Sequence, residues 1–193
     1  MKKLFRKSIS IKPTKYKPET LDFDLKLLAY DSAWRGLENV IKDLMTRYNI
    51  GNERCLEFGV EFGYSCAAFS NYFKEVTGVD IFTGDVHAGI YKNHFEETSA
   101  RLKDFTNVKL IESDYKDYIK KDDSQYDLIH VDIIHDYKHT LECGLWSAQH
   151  SKMTIFHDTE SFWDVRRAVA DVAKQTGKQF YNYDRFFGLG IVV

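Results

Sequence analysis

Cysteine, proline and long apolar runs are scarce in this sequence. Its 193 residues contain three cysteines and two prolines. Three cysteines are an odd number and none forms a C-x-x-C pair, which argues against a disulfide framework and against a zinc knuckle. No segment approaches the roughly 20 apolar residues that span a bilayer. The basic start MKKLFRK runs into a polar stretch without the apolar core of a secretory signal. We therefore expect buried thiols, no membrane partner and a cytoplasmic location.

An excess of charge of either sign is also missing. There are 27 Lys and Arg against 29 Asp and Glu, for a net charge of -2, which argues against general nucleic-acid binding. The length and the 44% hydrophobic content are typical of one globular domain. We expect a single domain over 21–193. Residues 1–20 carry both prolines and many lysines, and predict a basic extended arm. A solvated arm is favoured. The alternatives are that the arm covers an acidic ligand, or that it covers a neighbouring subunit of a homo-oligomer.

Strands and helices alternate along the chain. Apolar runs predict strands, and apolar residues at spacings of three and four predict helices. The predicted strands are 54–58, 76–79, 107–111, 126–131, 152–156, 178–183 and 187–193. The predicted helices are 31–48, 64–73, 91–105, 115–120, one ending near 150, and 162–176. This order predicts a doubly wound α/β sheet of about seven strands with helices on both faces.

The stretch from residue 54 to residue 80 predicts a strand, a glycine turn, a helix and a second strand. Glu57 precedes the turn Gly59-x-x-x-Gly63, and Asp80 follows the second strand. In an open parallel sheet ligands bind beyond the carboxyl ends of the strands, so these residues should meet in one crevice. The G-x-G-x-x-G spacing of dinucleotide sites is absent, and Glu57 would repel a pyrophosphate. A nicotinamide-dependent oxidoreductase is therefore disfavoured, and a nucleoside with a positively charged tail fits better.

The E-x-G-x-x-x-G turn followed by Tyr64-Ser65 resembles the first motif of S-adenosylmethionine-dependent methyltransferases of the Rossmann-like class. The resemblance covers residues 31–193 and implies a mostly parallel sheet with an antiparallel last strand. It implies that Glu57 and the turn hold the methionine part of the donor, that Asp80 holds the ribose, and that Ser113 or Asp114 contacts the base. The residues expected to bind the donor are Glu57, Phe58, Gly59, Gly63, Tyr64, Ser65, Asp80, Ile81, Ser113, Asp114 and Asp132.

Polar residues also follow the strands 126–131 and 152–156, namely Asp132 and His157-Asp158. If these strands are neighbours, two carboxylates lie close enough to repel unless a cation separates them, and oxygen ligands beside an imidazole suit Mg²⁺ or Mn²⁺. The pattern resembles the small-molecule O-methyltransferases related to the catechol-type enzymes, in particular a compact bacterial branch of glycan and antibiotic pathways. That resemblance implies a metal held by Asp132, His157 and Asp158. His135 stands where those enzymes have a proton-accepting lysine.

Histidine suits the role of the base, because its ordinary pKa near 6.5 lets it accept a hydroxyl proton at neutral pH. We therefore expect His135 and Asp132 to be catalytic in methyl transfer to a hydroxyl of a small molecule or sugar. A binding or assembly protein that keeps the fold without the reaction is the alternative. Zinc on His135 and His139 has little support without a third ligand. His130, within an apolar strand, is expected to be a satisfied core residue. The candidates for a lid, or for ordinary helix packing, are Phe82, His87, Tyr91 and His94.

Overall fold

The computed structural model describes residues 11–19, 24–84 and 92–193. Eight strands and six helices occur in this part of the chain. The strands are β1 Thr14–Lys15, β2 Arg54–Phe58, β3 Glu75–Asp80, β4 Val108–Glu112, β5 Tyr126–Val131, β6 Ser151–His157, β7 Phe180–Tyr183 and β8 Leu189–Val192. The helices are α1 Glu38–Arg47, α2 Tyr64–Phe69, α3 Phe95–Leu102, α4 Tyr115–Ile119, α5 Tyr137–His150 and α6 Trp163–Thr176.

All eight strands form one sheet in the order β1-β7-β8-β6-β5-β2-β3-β4. The strands β2 to β6 pair in parallel, and β8 lies antiparallel between β6 and β7. The doubly wound, mostly parallel sheet with an antiparallel last strand is thereby confirmed. It has one strand more than predicted, because β1 pairs in parallel with β7.

Helices cover both faces of the sheet because successive strand residues face opposite sides. In β2, Cys55 packs into one apolar cluster and Leu56 into another. In β5, Leu128 and Ile129 divide in the same way. The first cluster contains residues of α1, α2 and α3, and the second contains residues of α4, α5 and α6. Strands covered on both faces explain why their sequences are continuously apolar.

The described part of the basic arm packs against the domain. After β1, Tyr16 is 2% exposed, its hydroxyl donates to Asp43, and the Arg47 guanidinium lies 4.8 Å from its ring centre. Lys15 forms an ion pair with Asp184 at 2.5 Å. Tyr16 is therefore an exception to the expected solvated arm, whereas Lys12, Lys15 and Lys17 around it are exposed.

Several helix boundaries differ from the predicted ones. The first helix begins at Glu38 rather than at Asp31, because Gly36 has φ 103° and interrupts the turns that precede it. The next helix ends at Phe69, earlier than predicted. Helix α3 is shorter at both ends than the predicted 91–105. No helix in the described part of the chain has the length and hydropathy needed to cross a bilayer.

Candidate functional site

The carboxyl ends of β2, β5 and β6 lie side by side. Phe58 pairs with Val131, which in turn pairs with Phe156, so the polar residues that follow these strands share one edge. Gly59 adopts φ 86°, and a Cβ on it would lie 1.7 Å from the carbonyl oxygen of Asp132. Only glycine allows the two strand ends to approach so closely.

The loop after β2 is held by Asp80. One carboxylate oxygen of Asp80 accepts hydrogen bonds from the amides of Val60 at 2.7 Å and Glu61 at 2.9 Å, and the other accepts from Phe82 at 2.7 Å. A carboxylate has about four acceptor positions, so one remains for a ligand. Ile81 beside it is 46% exposed. Asp80 therefore shapes the glycine loop and keeps capacity for a hydroxyl.

Three residues predicted to bind the donor point elsewhere. Glu57 is fully buried, with both carboxylate oxygens bonded inside the protein. The Phe58 ring packs at 5.8 Å from the rings of Tyr118 and Trp146, within the second apolar cluster. The Asp114 carboxylate caps α4 by accepting from the Lys116 amide at 2.8 Å, the other role considered for it. The side chains of Glu57 and Phe58 are therefore not placed to contact the donor. The Asp114 carboxylate could contact the donor only in addition to capping α4.

Other predicted donor residues lie at the glycine loop or at the ends of the neighbouring strands. Gly63, at φ 85°, precedes α2, whose first residues Tyr64 and Ser65 are 2% and 7% exposed. Ser113 is half-buried, and its amide donates to the carbonyl of Asp80 at 2.8 Å. This hydrogen bond links the end of β3, predicted to hold the ribose, to the end of β4, predicted to hold the base.

Beneath the glycine loop lies a buried acid–histidine group, formed by Glu57, His130, Cys66 and Trp34. His130 Nδ1 is 2.7 Å from Glu57 Oε1, and Trp34 Nε1 is 3.2 Å from His130 Nε2. The Cys66 thiol donates to Glu57 Oε2 at 2.6 Å. His130 is fully buried. The prediction that it is a satisfied core histidine is confirmed, but its partners were not foreseen.

A second group, the rim acid–histidine group of Asp132, His135 and Asp158, lies at the strand ends. His135 Nε2 is 3.0 Å from Asp158 and 3.5 Å from Asp132. One ligand atom from each of the three residues lies within 4.8 Å of the other two, a spacing that suits one metal ion. Side-chain exposures are 14%, 14% and 25% for His135, Asp158 and Asp132, so the group is partly buried. These donors fit a hard or borderline divalent cation.

The charges of the rim group perturb each other strongly. Burial alone would lower the pKa of His135, but Asp132 and Asp158 raise it to about 10. Burial would raise the pKa of Asp132, but His157 and His135 outweigh it and hold the pKa below its ordinary value. At neutral pH the protein therefore holds an imidazolium between two carboxylates.

His157, which was predicted to bind a metal, has a partner at each ring nitrogen. Its Nε2 lies 3.1 Å from the Phe186 carbonyl, and its Nδ1 lies 3.1 Å from Asp132. Both partners are acceptors, so both ring nitrogens carry protons. Burial lowers the pKa of His157, but Asp132 outweighs it and the pKa is raised. His135 replaces His157 in the set that can hold a cation.

Two features that place the rim group were not visible in the sequence. The Phe162 ring stacks on His135, with centres 4.2 Å apart and planes 4° apart. Asp158 has φ 63°, an uncommon conformation for a residue with a side chain. This backbone aims the Asp158 carboxylate at His135, and strain of this kind is frequent at functional sites.

The lid candidates divide into two sets. Phe82 is fully buried and His94 is 3% exposed, with their rings 5.7 Å apart. They pack against the start of α3, as expected for ordinary helix packing rather than for a lid. His87 and Tyr91 lie outside the described residues.

Comparison with known proteins identifies the family. The profile described as "Methyltransferase domain" matches residues 56–159, more than half of the chain. The chain belongs to this methyltransferase family. The match begins in β2 and ends just after the rim group. A search of curated protein sequences finds no match.

Solved structures share the fold of this methyltransferase at low sequence identity. A Klebsiella pneumoniae protein assigned as an O-methyltransferase is 15% identical with a TM-score of 0.59, covering 86% of this chain and 82% of its own. The O-methyltransferase NovP is 13% identical with a TM-score of 0.65, covering 81% and 76%. TomG from Streptomyces achromogenes, an O-methyltransferase solved with S-adenosylmethionine, is 12% identical with a TM-score of 0.56, covering 77% and 76%. Proteins assigned to RNA methylation also match.

Proposed function

We propose that this methyltransferase transfers a methyl group from S-adenosylmethionine to a hydroxyl of a small molecule or sugar. The observation that carries the proposal is the position of the rim group, Asp132, His135 and Asp158, at the strand end that touches the glycine loop through Gly59. Donor and acceptor would meet at this edge of the sheet. The fold shared with O-methyltransferases, one of them solved with this donor, supports the assignment.

The donor would lie over the loop between Gly59 and Gly63. Asp80 has one acceptor position left for a ribose hydroxyl, and Ile81 offers an exposed apolar surface to the base. Ser113, tied to Asp80, lies where the base would end. Loop amides and glycine backbone would surround the methionine part.

The acceptor would lie on the other side of the rim group. Four large apolar side chains are exposed on the segments that follow β5, β6 and β7. They are Ile134 at 49%, Trp163 at 37%, Phe186 at 39% and Phe187 at 56%. A small acceptor can therefore gain apolar contact while its hydroxyl reaches Asp132 and His135. A net charge of -2 gives no general attraction to nucleic acid, which favours a small acceptor over RNA.

Methyl transfer is a direct displacement. The hydroxyl oxygen forms the new bond to carbon, the bond from sulfur to that carbon breaks, and its electron pair stays on sulfur as a neutral thioether. The acceptor proton must leave as well. Holding the two reactants in line can supply several kcal/mol of the barrier, so the main work of the chain is alignment and proton removal.

The charge state of His135 limits how it can act as the base. With a pKa of about 10, His135 is protonated at neutral pH and can accept a proton only after losing its own. A divalent cation bound by Asp132, His135 and Asp158 would require the same loss, because a ligand nitrogen must be unprotonated. Such an ion supplies Lewis acidity that lowers the pKa of a bound hydroxyl.

Calorimetric titration with S-adenosylmethionine tests donor binding, and absence of binding at millimolar donor would reject the proposal. Turnover is then measured as thioether product with a panel of phenols, sugars and polyols, in Mg²⁺ or Mn²⁺ and in chelator. Loss of turnover in chelator would mean that the reaction needs an ion, for which Asp132, His135 and Asp158 are the proposed ligands. Turnover that persists in chelator and rises with pH toward about 10 assigns His135 as the base. A chain that binds donor and methylates no acceptor would be a binding protein with this fold.

A further inference from the structure

The buried acid–histidine group fixes the positions of its own protons. The indole nitrogen of Trp34 can only donate, and it points at His130 Nε2 from 3.2 Å. His130 Nε2 must therefore be an unprotonated acceptor. The single proton of the neutral ring is then on Nδ1, which lies 2.7 Å from Glu57 Oε1. His130 is a neutral imidazole that donates to Glu57.

The same reasoning assigns the charge of Glu57. One of its oxygens accepts from His130, and the other accepts from the thiol of Cys66. Burial raises the pKa of Cys66 well above its ordinary value, so the thiol keeps its proton. Two donors that face its two oxygens are the arrangement of an ionised carboxylate. Among the described residues no Lys or Arg forms an ion pair with Glu57, whose partner is His130. A buried negative charge without a cationic partner costs free energy.

That charge lies directly behind the glycine loop. Glu57 is two residues before Gly59, and Cys66 belongs to the first turn of α2, which follows the loop. In dry surroundings a charge is screened weakly and acts over a longer distance than in water. We infer that Glu57 acts on the donor by its charge rather than by contact, and that His130 and Trp34 are positioning residues that hold this charge in place.

The inference rests on the proposed donor. S-adenosylmethionine carries a sulfonium charge, and its demethylated product, S-adenosylhomocysteine, has a neutral sulfur in the same place. A fixed anion behind the loop favours the charged donor over the product. Glu57 therefore helps the donor to displace product after each turnover, and its unpaired charge is offset while the donor is bound.

The test compares the affinities of the full chain for donor and product by calorimetry. In Glu57→Gln the amide oxygen can still accept from His130, so packing is kept while the charge is lost. We expect the preference for donor over product to fall about 10-fold. Glu53→Gln removes an equal charge at the exposed opposite end of β2, where Glu53 pairs with Lys74, and should change the preference by less than about twofold because water and salt screen it.

The positioning role has its own measurement. Long-range proton–nitrogen NMR of histidine-labelled protein should show His130 neutral with its proton on Nδ1. Trp34→Phe keeps an aromatic ring but removes the N–H, so the single tautomer should be lost. The donor preference should then fall about threefold. His130→Asn, which can still donate to Glu57, should keep more of the preference than His130→Leu.

The outcomes separate this inference from the proposed function. A wild-type His130 that is doubly protonated, or protonated on Nε2, would overturn the charge assignment. Binding of both ligands with a ratio that Glu57→Gln leaves unchanged would reject the inference alone. Binding of neither ligand by the wild type would reject the proposed function.

Discussion

The two acid–histidine groups use the same residue types to reach opposite charge states. In the buried group a donor-only indole leaves His130 neutral and Glu57 charged. In the rim group two carboxylates, Asp132 and Asp158, surround His135 and raise its pKa to about 10. The partners of a histidine, rather than its presence beside an acid, decide which proton it holds. The buried group is suited to holding a constant negative charge near the glycine loop. The rim group is suited to exchanging a proton or binding a cation.

The strongest expected contrast is in turnover. Asp132→Asn removes a charge from the rim group that faces both His135 and His157, and should lower the rate of methyl transfer by at least about 100-fold. Donor binding should persist, because the glycine loop is held by Asp80. The rate is measured as product formed at saturating donor. Asp136→Asn is the matched control, since asparagine still caps α5, and a comparable loss there would contradict the assignment.

Loss of a histidine should reduce stability more in the buried group than in a solvent-exposed acid–histidine pair. His130→Leu keeps most of the volume but leaves Glu57 Oε1 without its donor in the interior, which should cost about 3 kcal/mol in the free energy of unfolding. His139→Leu removes a histidine that pairs with Asp136 in contact with solvent and should cost less than about 1 kcal/mol. Urea unfolding at pH 7 measures both. Equal losses would show that burial does not distinguish the two pairs.

The pH dependence of stability should come from the rim group. The folded pKa of His135, about 10, lies above its ordinary value of 6.5. Its contribution is therefore fully present below pH 6.5 and is lost as pH rises through about 10. Urea unfolding in chelator should show a fall on the order of 2 kcal/mol across this window. His135→Gln should flatten this part of the profile, and an unchanged slope in that variant would assign the effect elsewhere.

The smallest effect is expected from the ring that orients His135. Phe162→Leu removes the stacked face at 4.2 Å and should cost about 1 kcal/mol of stability. Turnover should fall only a few-fold, because the carboxylates still hold the imidazole. Steady-state rates with unfolding curves measure both. Phe187→Leu, on an exposed ring outside the stack, should leave stability nearly unchanged.

The sheet was predictable because its signals are local. Strand and helix periods alternate, and turn residues separate them, so the order of elements follows from the sequence. The polar residues at the strand ends were found for the same reason. Strand β1 was not predicted, because the segment is held in place by contacts of Tyr16 with Asp43 and Arg47. These partners are distant in sequence, and no local pattern indicates them.

The chemistry of each site depended on distant partners and backbone angles. Trp34 is 96 positions from His130 in sequence, so the indole that sets the tautomer was not predictable. His135 follows β5 and His157 is the last residue of β6, and the sequence analysis favoured His157 as a ligand. The Asp158 carboxylate, on a residue with left-handed backbone, lies 3.0 Å from His135 Nε2 and 3.6 Å from His157 Nδ1, and no local pattern in the sequence reports these distances.

Gly59 lies so close to the carbonyl of Asp132 that the glycine loop and the end of β5 cannot move closer together. In the proposed reaction the sheet would set the distance from the methyl group to the nucleophile, and a longer or shorter acceptor would have to be accommodated by the segments that carry Ile134, Trp163 and Phe187. Directed evolution of new acceptors should accordingly target those three segments and keep residue 59 as glycine.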